Sequence, residues 1–180
     1  SYNWVIDEEA RNRRRVAGSN DADAMLDRAI RLDSQLVAAA RRRNPEVMVG
    51  LHMCRGNNRS AWFASGGYDP VAERLFQEVP VDRFLLEYDT ERAGTFEPLR
   101  FVPKGKTVVL GLVSSKLPQL ESQDDLCRRI EEASKYVPLD NLALSPQCGF
   151  ASTAAGNLLT VDEERRKLQL VVETAQKVWG

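Results

Sequence analysis

Cysteine and histidine are scarce in this chain, which has three cysteines and a single histidine, His52, among its 180 residues. The odd number and wide spacing of the cysteines exclude the paired disulfide framework that is typical of small secreted domains. No run approaches the roughly 20 apolar residues of a membrane-spanning helix, and the N-terminal segment lacks the basic start and apolar core of a signal peptide. We therefore expect a reduced, cytoplasmic protein that does not bind membranes.

The chain also lacks an excess of charge of either sign, with 25 basic and 26 acidic side chains and a net charge of −1. Such a balance excludes non-specific nucleic-acid binding, because neutralising phosphates requires a basic excess. There is no GxGxxG segment after the first predicted strand and no P-loop, which argues against a nucleotide site. What the sequence does contain is 43% hydrophobic residues, enough for one compact domain over residues 1–180.

Apolar runs and helical segments alternate along the chain. Five apolar runs predict strands at Trp4–Ile6, Val47–His52, Phe84–Leu86, Thr107–Val113 and Leu142–Leu144. Apolar spacing predicts helices at Asp21–Arg43, Pro70–Gln77, Ser122–Lys135 and Thr160–Trp179, the last two with capping patterns at their first residues. Because the strands are continuously apolar, both faces of the sheet are expected to be covered, as in a parallel α/β fold. An open doubly wound sheet and a (β/α) barrel both fit this pattern.

Polar residues follow several predicted strands, at the sheet edge where α/β proteins bind ligands. His52 and Cys54 point to the same side of an extended segment, because side chains alternate along a strand. Glu87 ends the run FLLE, where a buried carboxylate requires a partner, and Cys148 follows the last strand. Each signal has an ordinary alternative: a chance His-x-Cys, a solvated strand end or a packed cysteine. Together these nitrogen, sulfur and oxygen donors predict a zinc site that activates a thiol.

Three further residues are candidates for contacts with a substrate. Asp7 and Glu8 follow the first predicted strand, where acidic side chains could hold an ammonium group. Helix capping or simple solvation explains such acids equally well. Arg55 comes directly after Cys54 and is therefore also expected near a bound substrate, whereas Cys127 lies within a predicted helix and is interpreted as a packing residue.

Several motifs, taken in order, resemble the C-terminal barrel of cobalamin-independent methionine synthases and, more closely, the shorter single-barrel methionine-synthase-like proteins. These motifs are LHMCRGN, FLLEYDTERAG, KGKTVVLGLVSSKLPQLES and LALSPQCGFAS, and the resemblance covers roughly residues 45–180. It implies a TIM-type (β/α)8 barrel that binds zinc at the carboxyl ends of its strands. It also implies a methyltransferase that moves a methyl group from a folate to the thiol of homocysteine and so forms methionine.

The resemblance assigns the zinc to four side chains: His52, Cys54, Glu87 and Cys148. It also implies that Asp7 contacts the amino group of homocysteine. The sequence departs from the family pattern at Glu9, where the acidic motif usually continues with proline. It departs again at Lys116, which stands where the full methionine synthases carry a catalytic histidine. Lys116 could supply a proton or a charge in its place.

A complete barrel has eight strand–helix units in about 250 residues, whereas this chain is predicted to contain the C-terminal five. Five strands leave an open edge, which is an aggregation hazard. Three explanations stay open: the chain is a fragment, which its start at Ser1 without a methionine favours; another chain or a second copy completes the barrel; or the strands form a smaller open sheet. The functional alternatives are a non-catalytic zinc-binding subunit, an alkyltransferase acting on a different thiol, and a metal-free α/β domain.

Overall fold

Four parallel strands form one sheet in the order in which they occur along the chain. The computed structural model describes residues 2–16 and 22–180, and its strands are β1 (Gly50–Met53), β2 (Arg83–Glu87), β3 (Thr107–Val113) and β4 (Leu142–Pro146). Each strand pairs in parallel with the next one. The predicted parallel α/β fold is thereby confirmed.

Helices precede the sheet and connect its strands. Before β1, the described residues form α1 (Asn3–Ile6), α2 (Glu8–Val16) and α3 (Ala22–Arg43). Three follow β1, β3 and β4 in turn: α4 (Ala72–Glu78), α5 (Gln123–Ser134) and α6 (Val161–Trp179). Short 3-10 segments span Glu91–Ala93, Glu97–Phe101 and Leu139–Asn141, and the first two lie in the connection between β2 and β3.

The helix starts predicted from capping patterns at Ser122 and Thr160 are confirmed, whereas the helix predicted from Pro70 begins at Ala72 without a side-chain cap. The side chain of Ser122 accepts a hydrogen bond from the backbone N–H of Asp125 at the start of α5. Thr160 and Glu163 form a reciprocal capping box at the start of α6. These bonds satisfy amide groups that have no partner within the helix. They also fix where the loops after β3 and β4 end, and those loops carry polar residues of the candidate site.

The sheet buries one face more deeply than the other. Phe84, Leu86 and Val108 are at most 1% exposed and belong to the main hydrophobic core. The alternate positions Leu85 and Val109 are only half-buried. Because side chains alternate across a strand, the core lies on the face that carries Phe84, and the opposite face is more open in this chain.

The prediction of a first strand at Trp4–Ile6 is wrong, because these residues lie in α1. Tyr2, Val5 and Ile6 are 7%, 4% and 2% exposed. Their spacing of three and four residues is that of one helix face, whereas a half-buried strand would alternate. The helix buries these side chains against α3. The described part of the chain therefore contains four strand-based units, whereas five were predicted. Asp7, which was predicted to follow a strand, follows helix α1.

The predicted helix Asp21–Arg43 is observed from Ala22, while Asp21 lies outside the described residues. Within residues 2–16 and 22–180, the helices are all too short or too polar to cross a membrane.

Candidate metal centre

Three strand ends bring the four predicted ligand residues together. His52 lies in β1, and Cys54 is the first residue after that strand. Glu87 is the last residue of β2, and Cys148 lies just beyond β4. Their potential ligand atoms all lie within 4.8 Å of one another. Parallel strands present their carboxyl ends at the same edge of a sheet, which is how two cysteines 94 positions apart come into contact.

The separations within this cluster are close to those around a tetrahedral metal ion. The Sγ atoms of Cys54 and Cys148 are 3.6 Å apart, and His52 Nε2 lies 3.9 Å from Glu87 Oε1. Ligand atoms at about 2.0–2.3 Å from a zinc ion lie about 3.3–3.8 Å from one another. The other ring nitrogen, His52 Nδ1, is 3.3 Å from the carbonyl oxygen of Leu85. When Nδ1 donates its proton to that carbonyl, Nε2 is the ring nitrogen that would bind a metal after losing its own proton.

A glycine in β3 allows the segment that carries Cys148 to approach closely. A Cβ atom at Gly111 would lie 2.8 Å from both Gln147 Cα and the carbonyl oxygen of Leu86. The register between β3 and β4 shifts just after Gly111, and the backbone N–H of Gln147 donates to the carbonyl of Val113 at 2.8 Å. A side chain at position 111 would push this segment away from the end of β2.

The Glu87 carboxylate is fully buried, and its two oxygens have different surroundings. Oε1 accepts a hydrogen bond of 3.1 Å from the backbone N–H of Arg55. Oε2 has no hydrogen-bond donor among the described residues, although Arg92 Nη2 lies 3.7 Å and Lys116 Nζ 3.9 Å away. Burial raises the pKa of Glu87, and the charge of Lys116 opposes that shift. A buried carboxylate oxygen without a donor is costly, and a bound cation would satisfy it.

The two site thiols lie within hydrogen-bonding distance, with their Sγ atoms 3.6 Å apart. Hydrogen bonds from Cys54 and His52 hold the pKa of Cys148 well below its usual value. The same bond to Cys148, together with burial, raises the pKa of Cys54, and the contact with Cys148 raises the pKa of His52. The thiolate is the form of cysteine that binds metals, and the lowered pKa of Cys148 favours that form.

Lys116 and Gln147 form a buried pair beside Glu87. The Lys116 side chain is 2% exposed, and its Nζ donates to Gln147 Oε1. Burial lowers the pKa of Lys116, while the carboxylate of Glu87 opposes that shift. Gln147 in turn donates through Nε2 to Ser115 Oγ at 2.6 Å. Sequence reasoning missed Gln147 and Ser115, although both follow strands and the rule that selected Glu87 would have found them.

Asparagine side chains tie together the loops around the cluster. Asn57, after β1, donates to the carbonyl of Gly149 at 2.7 Å and to Ser115 Oγ at 3.3 Å. Asn157, after β4, donates to the carbonyl of Ser115 at 2.7 Å and accepts from Ser60 Oγ at 2.9 Å. These bonds hold the ligand-bearing loops against each other through atoms that are not themselves ligands.

The predicted substrate residues Asp7 and Glu8 are not among the side chains that converge in the cluster. Asp7 accepts from the backbone N–H of Ala10 at 2.8 Å and so caps α2, and it accepts from the backbone N–H of Ser65 at 3.0 Å. Glu8 is exposed at the start of α2. Both line a cavity of about 630 Å³ that none of the four ligand residues lines.

The structure places the Arg55 side chain in the protein interior. It is fully buried, its guanidinium carbon lies 4.5 Å from the ring centroid of Tyr68, and Nη1 donates to the carbonyl of Gly66. Arg55 contacts the cluster through its backbone N–H, which donates a hydrogen bond to Glu87 Oε1. The prediction that its side chain contacts a substrate stays a prediction.

Comparison with known proteins relates this chain to one family. Residues 5–177 match the family described as cobalamin-independent synthase, catalytic domain. The uncharacterized protein YxjG of Bacillus subtilis is 54% identical over 138 residues, which are 76% of this chain and 36% of that protein. A methionine synthase of Pyrococcus abyssi is 29% identical over 107 residues, which are 58% of this chain and 28% of that protein.

A solved structure supports the same relationship. A protein named as a candidate vitamin-B12-independent methionine synthase of Listeria monocytogenes has a TM-score of 0.70 and 32% identity to this chain, covering 99% of this chain and 46% of that one. The chain thus spans less than half the length of each of these relatives. Since the family match extends over nearly every residue of the chain, the motifs around His52, Glu87 and Cys148 predicted the relationship correctly. The chain belongs to the cobalamin-independent methionine synthase family.

Proposed function

We propose that this chain supplies the zinc site of a methyltransferase whose acceptor is the thiol of homocysteine, whose methyl donor is a folate and whose product is methionine. The observation that carries the proposal is the convergence of one imidazole, two thiols and one carboxylate within 4.8 Å at one edge of the sheet. Family membership supports the reaction class, because relatives of this chain bear the name methionine synthase.

The donor set fits zinc better than the other common divalent ions. His52, Cys54, Glu87 and Cys148 would hold the ion. Nitrogen and sulfur donors suit zinc, whereas magnesium and calcium prefer oxygen ligands alone. The buried Glu87 Oε2, which lacks a donor among the described residues, supplies the remaining ligand. When bound, zinc lowers the pKa of an acceptor thiol and makes the thiolate available at neutral pH.

Asp7 and Glu8 are proposed to hold the ammonium group of the acceptor. An acidic wall beside a cavity favours a cationic group, and both residues line the cavity of about 630 Å³. Asp7 is also joined to the loop after β1 through the backbone N–H of Ser65. That loop begins with Cys54, so the loop that bonds to Asp7 also carries one of the proposed metal ligands.

A second candidate is a zinc-binding part that becomes active only when further strand–helix units complete a barrel. The positions Leu51, Leu85 and Val109, on the more open face of the sheet, are only half-buried. The chain also covers 46% of the Listeria protein to which it is similar. We propose that the remaining units come from the rest of a longer polypeptide, from a second copy or from another chain.

Zinc content tests the proposed site. The purified chain is compared with His52→Ala and Cys148→Ser, and Cys127→Ser is the matched control because Cys127 lies in α5 outside the ligand cluster. We expect about one zinc ion per chain in the unmodified protein and in Cys127→Ser, and loss of zinc in the other two. Absence of zinc from the unmodified chain, or equal zinc in all four proteins, would contradict the metal centre.

Methyl transfer separates the two candidates. The zinc-loaded chain is incubated with a methyl-folate and homocysteine, and methionine is measured. Methionine formation by the chain alone supports the methyltransferase. Zinc binding without methionine formation favours the second candidate, and the same assay is then repeated with the remaining barrel units supplied as a separate chain.

A further inference from the structure

Lys116 is buried beside the cluster without donating a hydrogen bond to any of the four ligand residues. Its Nζ donates to the neutral amide of Gln147 and lies 3.9 Å from Glu87 Oε2. Within the described part of the chain, Glu87 is the single carboxylate within 4 Å of this ammonium group. A buried ammonium group is costly unless a nearby negative charge compensates it. For Lys116, the carboxylate of Glu87 in the cluster provides that negative charge.

The other cation near Glu87 is already compensated. Arg92 Nη2 lies 2.8 Å from Asp89 Oδ1 but 3.7 Å from Glu87 Oε2. Its Nη1 donates to the carbonyl of Ala64 at 3.3 Å. Arg92 therefore forms its close ion pair with Asp89, whereas Lys116 has Glu87 as its carboxylate within 4 Å among the described residues. Burial lowers the pKa of Lys116, and the more distant Asp89 also opposes that shift.

The ligand set requires one such cation. With both thiols deprotonated and Glu87 ionised, the ligands carry three negative charges, since a metal-binding His52 is neutral. A divalent ion leaves one negative charge in a buried site, where an unbalanced charge is unfavourable. The position of Lys116 matters as well, because a direct hydrogen bond to Oε2 would occupy a lone pair that the metal needs.

We propose that Lys116 is a positioning residue of the metal centre: held in place by Gln147, it balances the charge of the metal-bound ligand set and leaves Glu87 Oε2 free to bind the ion. The inference rests on the proposed zinc site and adds to it a residue that does not touch the metal. Of the two roles predicted for Lys116, the proposal takes the supply of charge, because Nζ is held by Gln147 and lies 3.9 Å from Glu87 Oε2.

The test is a zinc titration of the full chain in competition with a chromophoric chelator, on Lys116→Met, Lys116→Arg and Lys104→Met. We expect Lys116→Met to weaken zinc binding about 10- to 100-fold, the range found for residues that surround metal ligands. Lys116→Arg restores most of the affinity because it restores the charge. Lys104 is exposed near the amino end of β3, so Lys104→Met should bind zinc like the unmodified chain. Unchanged affinity in Lys116→Met would overturn the proposal.

Measuring the effect of Lys116→Met in a second variant, Glu87→Gln, separates the contribution of the Lys116 charge from a contribution of its packing. Glu87→Gln removes the negative charge that Lys116 balances, so adding Lys116→Met to Glu87→Gln should cause no further loss of zinc affinity. The same loss in both backgrounds would show that Lys116 merely supports packing, and the proposal would be overturned. Circular dichroism establishes that each variant is folded. If the unmodified chain binds no zinc, the metal centre itself is wrong and this inference falls with it.

Discussion

Replacing Gly111 by alanine tests how closely β3 and β4 must approach to build the metal centre. The new Cβ atom would lie 2.8 Å from Gln147 Cα and from the carbonyl oxygen of Leu86, and both neighbours are backbone atoms. Ordinary contacts begin at 3.4 Å, so going from 2.8 to 3.4 Å requires a displacement of about 0.6 Å. Metal–ligand distances tolerate about 0.2 Å. The displacement therefore exceeds what a bound ion accepts from Cys148, the residue after Gln147.

The assay compares zinc affinity and urea unfolding of Gly111→Ala with those of Gly50→Ala. Gly50 is the matched control because its new Cβ would meet Leu85 Cδ1 at 2.9 Å, and the end of a flexible side chain can move. We expect Gly111→Ala to lower the free energy of unfolding by about 1–3 kcal/mol, the usual cost of overpacking, and to weaken zinc binding well beyond Gly50→Ala. Equal zinc affinity in the two variants would refute the idea that this close approach positions Cys148.

Three further outcomes concern stability. Asp82 accepts from the backbone N–H of Val49 and from Arg41, each at 2.8 Å, and these contacts lower the pKa of Asp82. The stabilisation by Asp82 is present above the unfolded pKa of about 3.9 and is lost as the pH falls through the lower folded pKa. In urea unfolding, Asp82→Asn should therefore lower the free energy of unfolding by less than about 1 kcal/mol at pH 7 and leave it unchanged at strongly acid pH. Thr160→Ala removes the N-cap of α6 and should cost about 1 kcal/mol in the same assay. Zinc at about 100 times its dissociation constant should raise the free energy of unfolding by about 2.7 kcal/mol, and a chelator should abolish the gain.

The parts of the fold that local sequence determines were predictable. The continuous apolar run Thr107–Val113 is observed as β3 with the predicted bounds. The starts of α5 and α6 were predictable because each depends on side chains only three residues apart. Trp4–Ile6 was not, because a run of three apolar residues fits a strand as well as a helix. Tertiary packing against α3 decided between them.

The ligand cluster was predictable for a different reason. Parallel strands gather their carboxyl ends at one edge, so polar residues that follow separate strands were expected to meet there. The contacts around the ligands could not be predicted in this way. The bond from Lys116 to Gln147 and the bonds of Asn57 and Asn157 depend on how loops pack across gaps of 31 to 97 residues. No periodicity or short motif encodes such contacts.

These loop contacts bear on what the proposed zinc ion would contribute to folding. Small zinc domains fold only when zinc is bound, because they have little else to hold them together. Here Phe84, Leu86 and Val108 lie in a core that includes none of the four cluster residues, and Asn57 and Asn157 join the ligand loops without using a ligand atom. Binding an ion to such a site requires deprotonation of the ligands but little ordering of the chain. Loss of zinc is therefore expected to abolish the activation of a thiol while the sheet and its loops remain folded.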